Sequence, residues 1–152
     1  MNYEVVELEE KKVVGLTART SNQDENMGQI IGGLWQKFYE QGVYQSIINK
    51  VNDCSIGLYS NYNDGASDAY DVTVGCEVSA LEPLPDGVVV KTIESGKYAK
   101  FIVQGHAQQA VADFWTKLWG MDLNRRFGSD FEEYQPGGDM ENSEIHLYIS
   151  IN

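Results

Sequence analysis

The run Gly33-Leu34-Trp35-Gln36-Lys37-Phe38-Tyr39 has a counterpart in the second half of the chain, Asp113-Phe114-Trp115-Thr116-Lys117-Leu118-Trp119. A second match joins residues 59–70 to residues 134–145 without a gap. An alternating run that is typical of a β-strand starts where each of these segments ends, at Tyr70 and at Ile145. The sequence therefore predicts two copies of one unit, over about residues 1–80 and 87–152, related by a pseudo-twofold axis.

The predicted elements occur in the order β-α-β-β in each half. Apolar residues at helical spacing predict helices over 27–41 and 107–119, and a further helical turn over 45–51. Alternation and β-branched content predict strands over 12–18, 54–61, 70–78, 88–93, 98–103, 130–135 and 144–151. A proline-bearing connector at 81–87 joins the halves. The predicted fold class is α+β, an antiparallel sheet with one main helix per half and a ligand cleft between the halves.

Composition limits the classes of function. With 152 residues the chain is most simply one domain. The net charge is −12 and the basic residues are scattered, whereas a nucleic-acid partner requires a basic face. No apolar run is long enough for a membrane helix, so a cytoplasmic protein is expected. Cys54 and Cys76 have no metal-ligand spacing and are expected to be buried thiols, and no cofactor or metal is predicted.

Two groups of motifs resemble a known family. Residues 74–78 and 93–101 resemble the "G-x-E-V … I-P-A-G-x-Y-A-x-F" pattern of the GyrI-like family. Residues 131–134 and 144–149 resemble its closing "F-E-x-Y … E-I-x-I-P-I" pattern. That family includes the effector-binding domains of AraC-type and MerR-type multidrug regulators. Together with the internal duplication, the resemblance covers essentially the whole chain.

The resemblance implies a pocket between the two halves for small, often cationic, amphipathic molecules. Glu132 matches the acidic residue of the "F-E-x-Y" motif, which in the multidrug sensors contacts the positive charge of the ligand. The chain has no room for the helix-turn-helix domain that accompanies such sensors, so a stand-alone binding module is expected.

The same glutamate can be placed from strand geometry. Alternation places Glu132 and Tyr134 on one face of their strand. If Ile145, Leu147 and Ile149 form the core face of the next strand, Tyr148 lies on the opposite face and joins Glu132 in ordinary register. A carboxylate enclosed by aromatic rings suits an organic cation, because each ring face contributes roughly 0.5 to 2 kcal/mol.

Other aromatic residues are candidates for the same pocket. Tyr59 is the repeat partner of Tyr134 and is expected to face the seam from the other half, while Trp119 and Tyr98 are further candidate wall residues. Trp35 and Trp115 occupy matching helical positions and are interpreted as core residues. Glu77 is interpreted as structural. His106 and His146 are interpreted as surface residues.

Two alternative functions remain open from the sequence. The family takes its name from gyrase inhibitors, and an acidic protein could bind a basic protein surface such as a regulator or gyrase. The acidic residues available for this are Asp64, Asp68 and Asp71, or Glu132, Glu133, Asp139 and Glu141. The other alternative is a small hydrolase in which a glutamate of raised pKa acts as general base on water.

Overall fold

The computed structural model describes residues 2–63 and 69–152. Asn63-Asp64-Gly65 are hairpin-turn residues between the strands predicted over 54–61 and 70–78; this predicted turn lies mostly outside the described residues, as do Asp64 and Asp68 of the first acidic group. The elements in chain order are β1 (Glu4–Leu8), β2 (Lys11–Thr20), α1 (Met27–Glu40), α2 (Val43–Ser46), β3 (Ser55–Ser60), β4 (Tyr70–Val78), β5 (Val89–Ile93), β6 (Gly96–Gly105), α3 (Ala107–Trp119), β7 (Ser129–Tyr134) and β8 (Ser143–Ser150).

The strands form one antiparallel sheet in the order β1-β6-β8-β7-β3-β4-β2-β5. This order reads the same from either end when β1 to β4 are exchanged for β5 to β8, as the internal duplication predicts. The α+β class and the two main helices are confirmed. The first half contains one strand more than expected, because β1 was not recognised; its counterpart in the second half is β5, which was predicted over 88–93.

The first strand of each half pairs with the other half. β1 pairs with β6, and β5 pairs with β2. The sequence also indicates a turn at Glu94-Ser95-Gly96-Lys97 between β5 and β6, but these strands do not pair across it, since β5 lies at one edge of the sheet and β6 is second from the other edge. Two residues, Glu9 and Glu10, join β1 to β2, and such a link spans at most about 11 Å. The sheet must therefore curl until its two edges approach each other.

The curled sheet has two differently packed faces. Its helix face, which carries Val74 and Leu147, packs against α1 in the first half and α3 in the second. Its far face carries a separate apolar cluster with Leu58 and Phe131 at the centre. Because both faces are buried, alternation along a strand separates two apolar environments rather than core from solvent.

Each helix packs against the helix face of the sheet through one row of buried side chains. Leu34 and Phe38 of α1 are buried, as are Phe114 and Leu118 of α3. α1 begins one residue after Asn26, whose side chain makes no capping bond, and α3 begins after His106, whose Nδ1 accepts from the backbone N–H of Gln109. No helix in the described ranges is long and apolar enough to cross a membrane.

The two cysteines are buried and unpaired, as expected from the sequence. Burial raises the pKa of Cys54 to about 11 and that of Cys76 to about 12. Neither thiol is therefore a reactive thiolate near neutral pH.

Candidate ligand-binding site

A cavity of about 1130 Å³ lies between α1 and α3, above the centre of the sheet. Its floor comes from β3 and β7, the two central strands, and its side walls come from the inner sides of the two helices. The aromatic residues that line it are Trp35, Tyr39, Tyr44, Tyr59, Tyr62, Tyr70, Trp115, Trp119 and Tyr134. The cavity is at the seam between the half-repeats, where the sequence predicts a site.

Glu132 lies at the floor of this cavity and is 1 % exposed. Trp115 Nε1 donates a hydrogen bond to its Oε2 at 2.8 Å, and the Tyr59 hydroxyl donates to the same oxygen at 2.9 Å. The Tyr134 hydroxyl donates to Oε1 at 2.8 Å. Both oxygens are thus held by neutral donors, which come from α3, β3 and β7.

The carboxyl group of Glu132 has no opposite charge beside it within the described residues, because none of their ion pairs includes it. Burial raises its pKa above the ordinary value, and the three hydrogen bonds oppose that rise. Burial likewise raises the pKa of Tyr59 and Tyr134 well above the usual range, so both hydroxyls remain protonated donors. A positive charge in the cavity would relieve the cost of ionising Glu132.

The pseudo-twofold symmetry explains how one buried carboxylate is accommodated. Gly57 and Glu132 each lie two residues before the matched tyrosines, and they are direct partners across β3 and β7. A Cβ atom on Gly57 would lie 2.9 Å from Glu132 Oε1 and 3.4 Å from Trp35. One half therefore supplies the acid, and the other supplies the space that its side chain occupies.

The rings form a continuous row along the cavity wall. Tyr59 contacts Trp115 with a centroid distance of 5.3 Å and Tyr70 at 5.8 Å. Tyr62 follows at 5.6 Å from Tyr70, and Phe127, which does not line the cavity, lies 5.7 Å from Tyr62. On the side of α1, Trp35 contacts Tyr134 edge to face at 5.0 Å. These rings present a wide aromatic surface on both sides of Glu132.

A second buried acid lies two residues before Glu132. Asp130 Oδ2 accepts from the Tyr62 hydroxyl at 2.7 Å and from Arg125 Nη2 at 2.8 Å. Its Oδ1 accepts from the backbone N–H and the hydroxyl of Ser150. Asp130 is therefore satisfied within the protein, whereas Glu132 has no charged partner. Neither Asp130 nor Arg125 is marked by a motif in the sequence.

Four of the six predicted site residues line the cavity: Glu132, Tyr134, Tyr59 and Trp119. Tyr59 faces Glu132 from the other half, as expected from its repeat position. Trp119 lies at the end of α3 with 56 % of its surface exposed, so it forms part of the rim.

Tyr148 and Tyr98 are not at the cavity, so their predicted placement is wrong. Phe131, not Glu132, is the partner of Tyr148, and the two rings stack at 4.5 Å on the far face. Tyr98 is fully buried on that face, and its hydroxyl donates to the Glu94 carbonyl at 2.6 Å.

The misplacement of Tyr148 has a simple cause. Glu132 pairs with Leu147, so the acid lies on the same face as the apolar residues that pack against α3. A shift of one residue in register exchanges the faces of a strand. The expectation that apolar and acidic residues occupy opposite faces therefore put Tyr148 on the wrong side.

Trp115 and Trp35 line the cavity, although the sequence pattern led us to interpret both as core residues. Trp115 donates to Glu132, and Trp35 contacts Tyr134. Helical periodicity finds the inward side of a helix but does not separate a packed core from a cavity wall. Their matching positions in the repeat, on either side of the seam, were the available signal.

The structure also places the other charged residues that were considered from the sequence. Glu77 pairs with Lys11 at 3.3 Å outside the cavity, which confirms its structural interpretation. His146 lies beside Glu144 at 2.7 Å, and no group of metal-ligating residues occurs in the described ranges. Because Glu132 is buried, it cannot belong to an acidic docking surface, and Asp71 of the first acidic group is paired with Arg19 and Lys91.

Solved structures share this fold. An integron cassette protein from the mobile metagenome of Vibrio cholerae is 30 % identical, with a TM-score of 0.74, 97 % of this chain covered and 95 % of that one. The structure of SAV2435 bound to tetraphenylphosphonium is 23 % identical, with a TM-score of 0.78, and the match covers 99 % of this chain and 94 % of that one.

A curated relative links the chain to transcription regulators. The transcriptional regulator BrlR of Pseudomonas aeruginosa is 30 % identical over 132 residues, which are 82 % of this chain. The match covers 47 % of BrlR, so the chain corresponds to about half of that regulator. The sequence model of the Cass2 family, described as integron-associated effector binding protein, matches residues 4–151. The chain therefore belongs to the Cass2 family of integron-associated effector-binding proteins and has the GyrI-like fold that its motifs predict.

Proposed function

We propose that this protein is an effector-binding domain whose cavity holds one lipophilic organic cation, with the carboxylate of Glu132 as its counter-ion. The observation that carries the proposal is a fully buried acid that faces a large cavity and has no basic partner in the described residues. A buried carboxylate without a charged partner lowers the stability of the fold by several kcal/mol, which favours a functional role for Glu132.

The cavity walls suit the same class of ligand. Aromatic ring faces carry negative charge density and attract cations, most strongly when water is excluded. The other acids at the cavity are Glu40, Asp53 and Asp139, and its one basic residue among those described is Arg125. The charge of the lining therefore favours a cation over an anion. A volume of about 1130 Å³ is ample for a drug-sized molecule.

The fold relatives support this class of ligand. SAV2435 was solved with tetraphenylphosphonium, a lipophilic cation, and the chain belongs to a family of effector-binding proteins. The relation to BrlR is consistent with a role in which ligand occupancy is passed to transcription.

Titration with tetraphenylphosphonium tests the proposal, with tryptophan fluorescence as the readout. Trp35, Trp115 and Trp119 all line the cavity, so occupancy should change the emission. We expect saturable binding to the wild-type protein and a loss of at least roughly tenfold in affinity, about 1.4 kcal/mol, in Glu132→Gln.

Glu77→Gln is the matched control for this titration. It removes the same charge from a half-buried strand glutamate that does not line the cavity, so it reproduces the change in overall field without touching the site. Its affinity should stay close to that of the wild type. Equal binding by wild type and Glu132→Gln would refute the assignment of the counter-ion.

A further inference from the structure

We propose that the effector is bifunctional: besides its cationic centre it carries a hydrogen-bond acceptor oxygen, which Arg125 binds at the Asp130 end of the cavity. The inference rests on the proposed function, since it adds a second contact to the same ligand. It narrows the ligand class from any lipophilic cation to one with an ester, amide or carboxylate oxygen at a defined distance from the charge.

The guanidinium group of Arg125 has N–H donors that form no hydrogen bond in the described residues. Its side chain is 10 % exposed and lines the cavity, yet only Nη2 forms a hydrogen bond, to Asp130. In the described residues, Nε is buried and forms no hydrogen bond. Nη1 also forms no hydrogen bond there, but unlike Nε it is not fully buried. A guanidinium can donate five hydrogen bonds, and leaving them unmade in a buried site is costly.

Asp130 cannot use these donors or take a second cation. Its two oxygens already accept four hydrogen bonds, from Tyr62, Arg125 and the backbone and hydroxyl of Ser150. A carboxylate has about four lone-pair positions, so all of them are occupied. The carboxylate that lacks a positively charged partner is therefore Glu132, and the side chain that retains unused N–H donors is Arg125.

Glu132 and Arg125 are close enough for one ligand to contact both, because Arg125 is bound to Asp130, near Glu132 on the same strand. Asp130 and Glu132 are two residues apart on one face of β7, which separates their Cα atoms by about 7 Å. The row of rings from Tyr59 through Tyr70 to Tyr62 runs between them. Arg125 itself lies over Phe127 with its guanidinium carbon 4.2 Å from the ring centroid. An apolar linker along these rings would place an acceptor at Arg125 while the cation remains at Glu132.

The test compares two phosphonium probes that differ in the acceptor alone. One is heptyltriphenylphosphonium, and the other is the methyl ester of (4-carboxybutyl)triphenylphosphonium, which has a chain of the same length and the same charge. The measured quantity is the affinity for the ester divided by the affinity for the heptyl probe. Arg125→Lys keeps a positive charge for Asp130 but has no second nitrogen to offer the ligand. We expect this ratio to fall roughly tenfold in Arg125→Lys, the loss of one charge-assisted hydrogen bond.

Arg19→Lys is the matched control, because Arg19 also pairs with an aspartate, Asp71 at 3.0 Å, but does not line the cavity. Its ratio should equal that of the wild type. A measurement on the wild-type protein alone gives a second readout: the NMR resonances of the Arg125 side chain should shift with the ester and not with the heptyl probe.

The outcomes separate this inference from the proposed function. If the heptyl probe binds in a manner that depends on Glu132, but the ratio is unchanged in Arg125→Lys and the resonances of Arg125 do not move, the acceptor contact is refuted and the cation site stands. If neither probe binds, or binding is indifferent to Glu132, the cation site fails and this inference fails with it.

Discussion

The carboxyl group of Glu132 has three hydrogen-bond donors around it and no compensating charge. Burial raises its pKa, while Trp115, Tyr134 and Tyr59 act in the opposite direction. The donors are neutral, so they orient the oxygens and lower the cost of ionisation without cancelling the charge. The arrangement leaves electrostatic attraction available to a ligand, which a salt bridge within the protein would have consumed.

Gly57 is the residue on which this arrangement depends sterically. In Gly57→Ala the new Cβ would lie 2.9 Å from Glu132 Oε1, so the carboxylate has to shift away from its donors. We expect a loss of about 1 to 3 kcal/mol in the free energy of unfolding, measured by urea denaturation, and weaker binding of tetraphenylphosphonium.

A double-mutant cycle identifies the cause of that loss. In the Glu132→Ala background the clashing oxygen is absent, so Gly57→Ala should cost clearly less than in the wild type. An equal cost in both backgrounds would show that the two residues are not coupled and that the space at Gly57 serves another purpose.

At the scale of elements, α1 and α3 act as the two side walls of the cavity. Each buries one row of residues in the core and turns a tryptophan toward Glu132 or its surroundings. The glycines inside α1 are not needed for close packing. At Gly28, Gly32 and Gly33 an added Cβ would meet nothing within 4 Å.

Gly33→Ala should therefore stabilise the protein. Gly33 does not line the cavity, and alanine is favoured over glycine in a helix interior by about 0.5 to 1 kcal/mol. We expect a gain of that size in the free energy of unfolding with unchanged ligand affinity. Gly42→Ala gives the contrast, because Gly42 has a φ of 72° and an alanine there would be strained. A loss of stability in Gly33→Ala would mean that α1 packs more closely at this position than the structure shows.

The sequence predicts α3 to the residue and α1 to within one, because their apolar periodicity is strong and their ends are marked. The hairpins β3–β4 and β7–β8 also follow from alternation and from the turn residues Asn63-Asp64-Gly65 and Pro136-Gly137-Gly138 in the sequence. The face on which a side chain lies is harder to predict. Alternation shows which residues of one strand lie on the same face, but only the register with the neighbouring strand shows which residues of the two strands lie on a common face. Tyr148 was misplaced for this reason. Asp130 was missed because its partner Arg125 is held near it only by the fold.

Over the whole molecule, duplication produces a site that is symmetric in shape and asymmetric in charge. The halves contribute matching tyrosines, Tyr59 and Tyr134, and matching tryptophans, Trp35 and Trp115. Only one half contributes an acid at the centre, since Gly57 is the partner of Glu132. The proposed function therefore requires one cation for each chain, with its charge at the seam.

The assignment of Glu132 as counter-ion can be tested by calorimetric titration with tetraphenylphosphonium at a series of pH values from about 4.3, the ordinary pKa of a glutamate, upward, in buffers of different ionisation enthalpy. The ligand has no titratable group. Because burial raises the pKa of Glu132 in the empty site and a bound cation lowers it, binding should release a proton at any pH where Glu132 is protonated in the empty site. Affinity should therefore rise with pH through the raised pKa and level off above it. We expect one ligand per chain, and no such proton release in Glu132→Gln. A pH-independent affinity without proton release in the wild type, or the same pH profile in Glu132→Gln, would contradict this assignment.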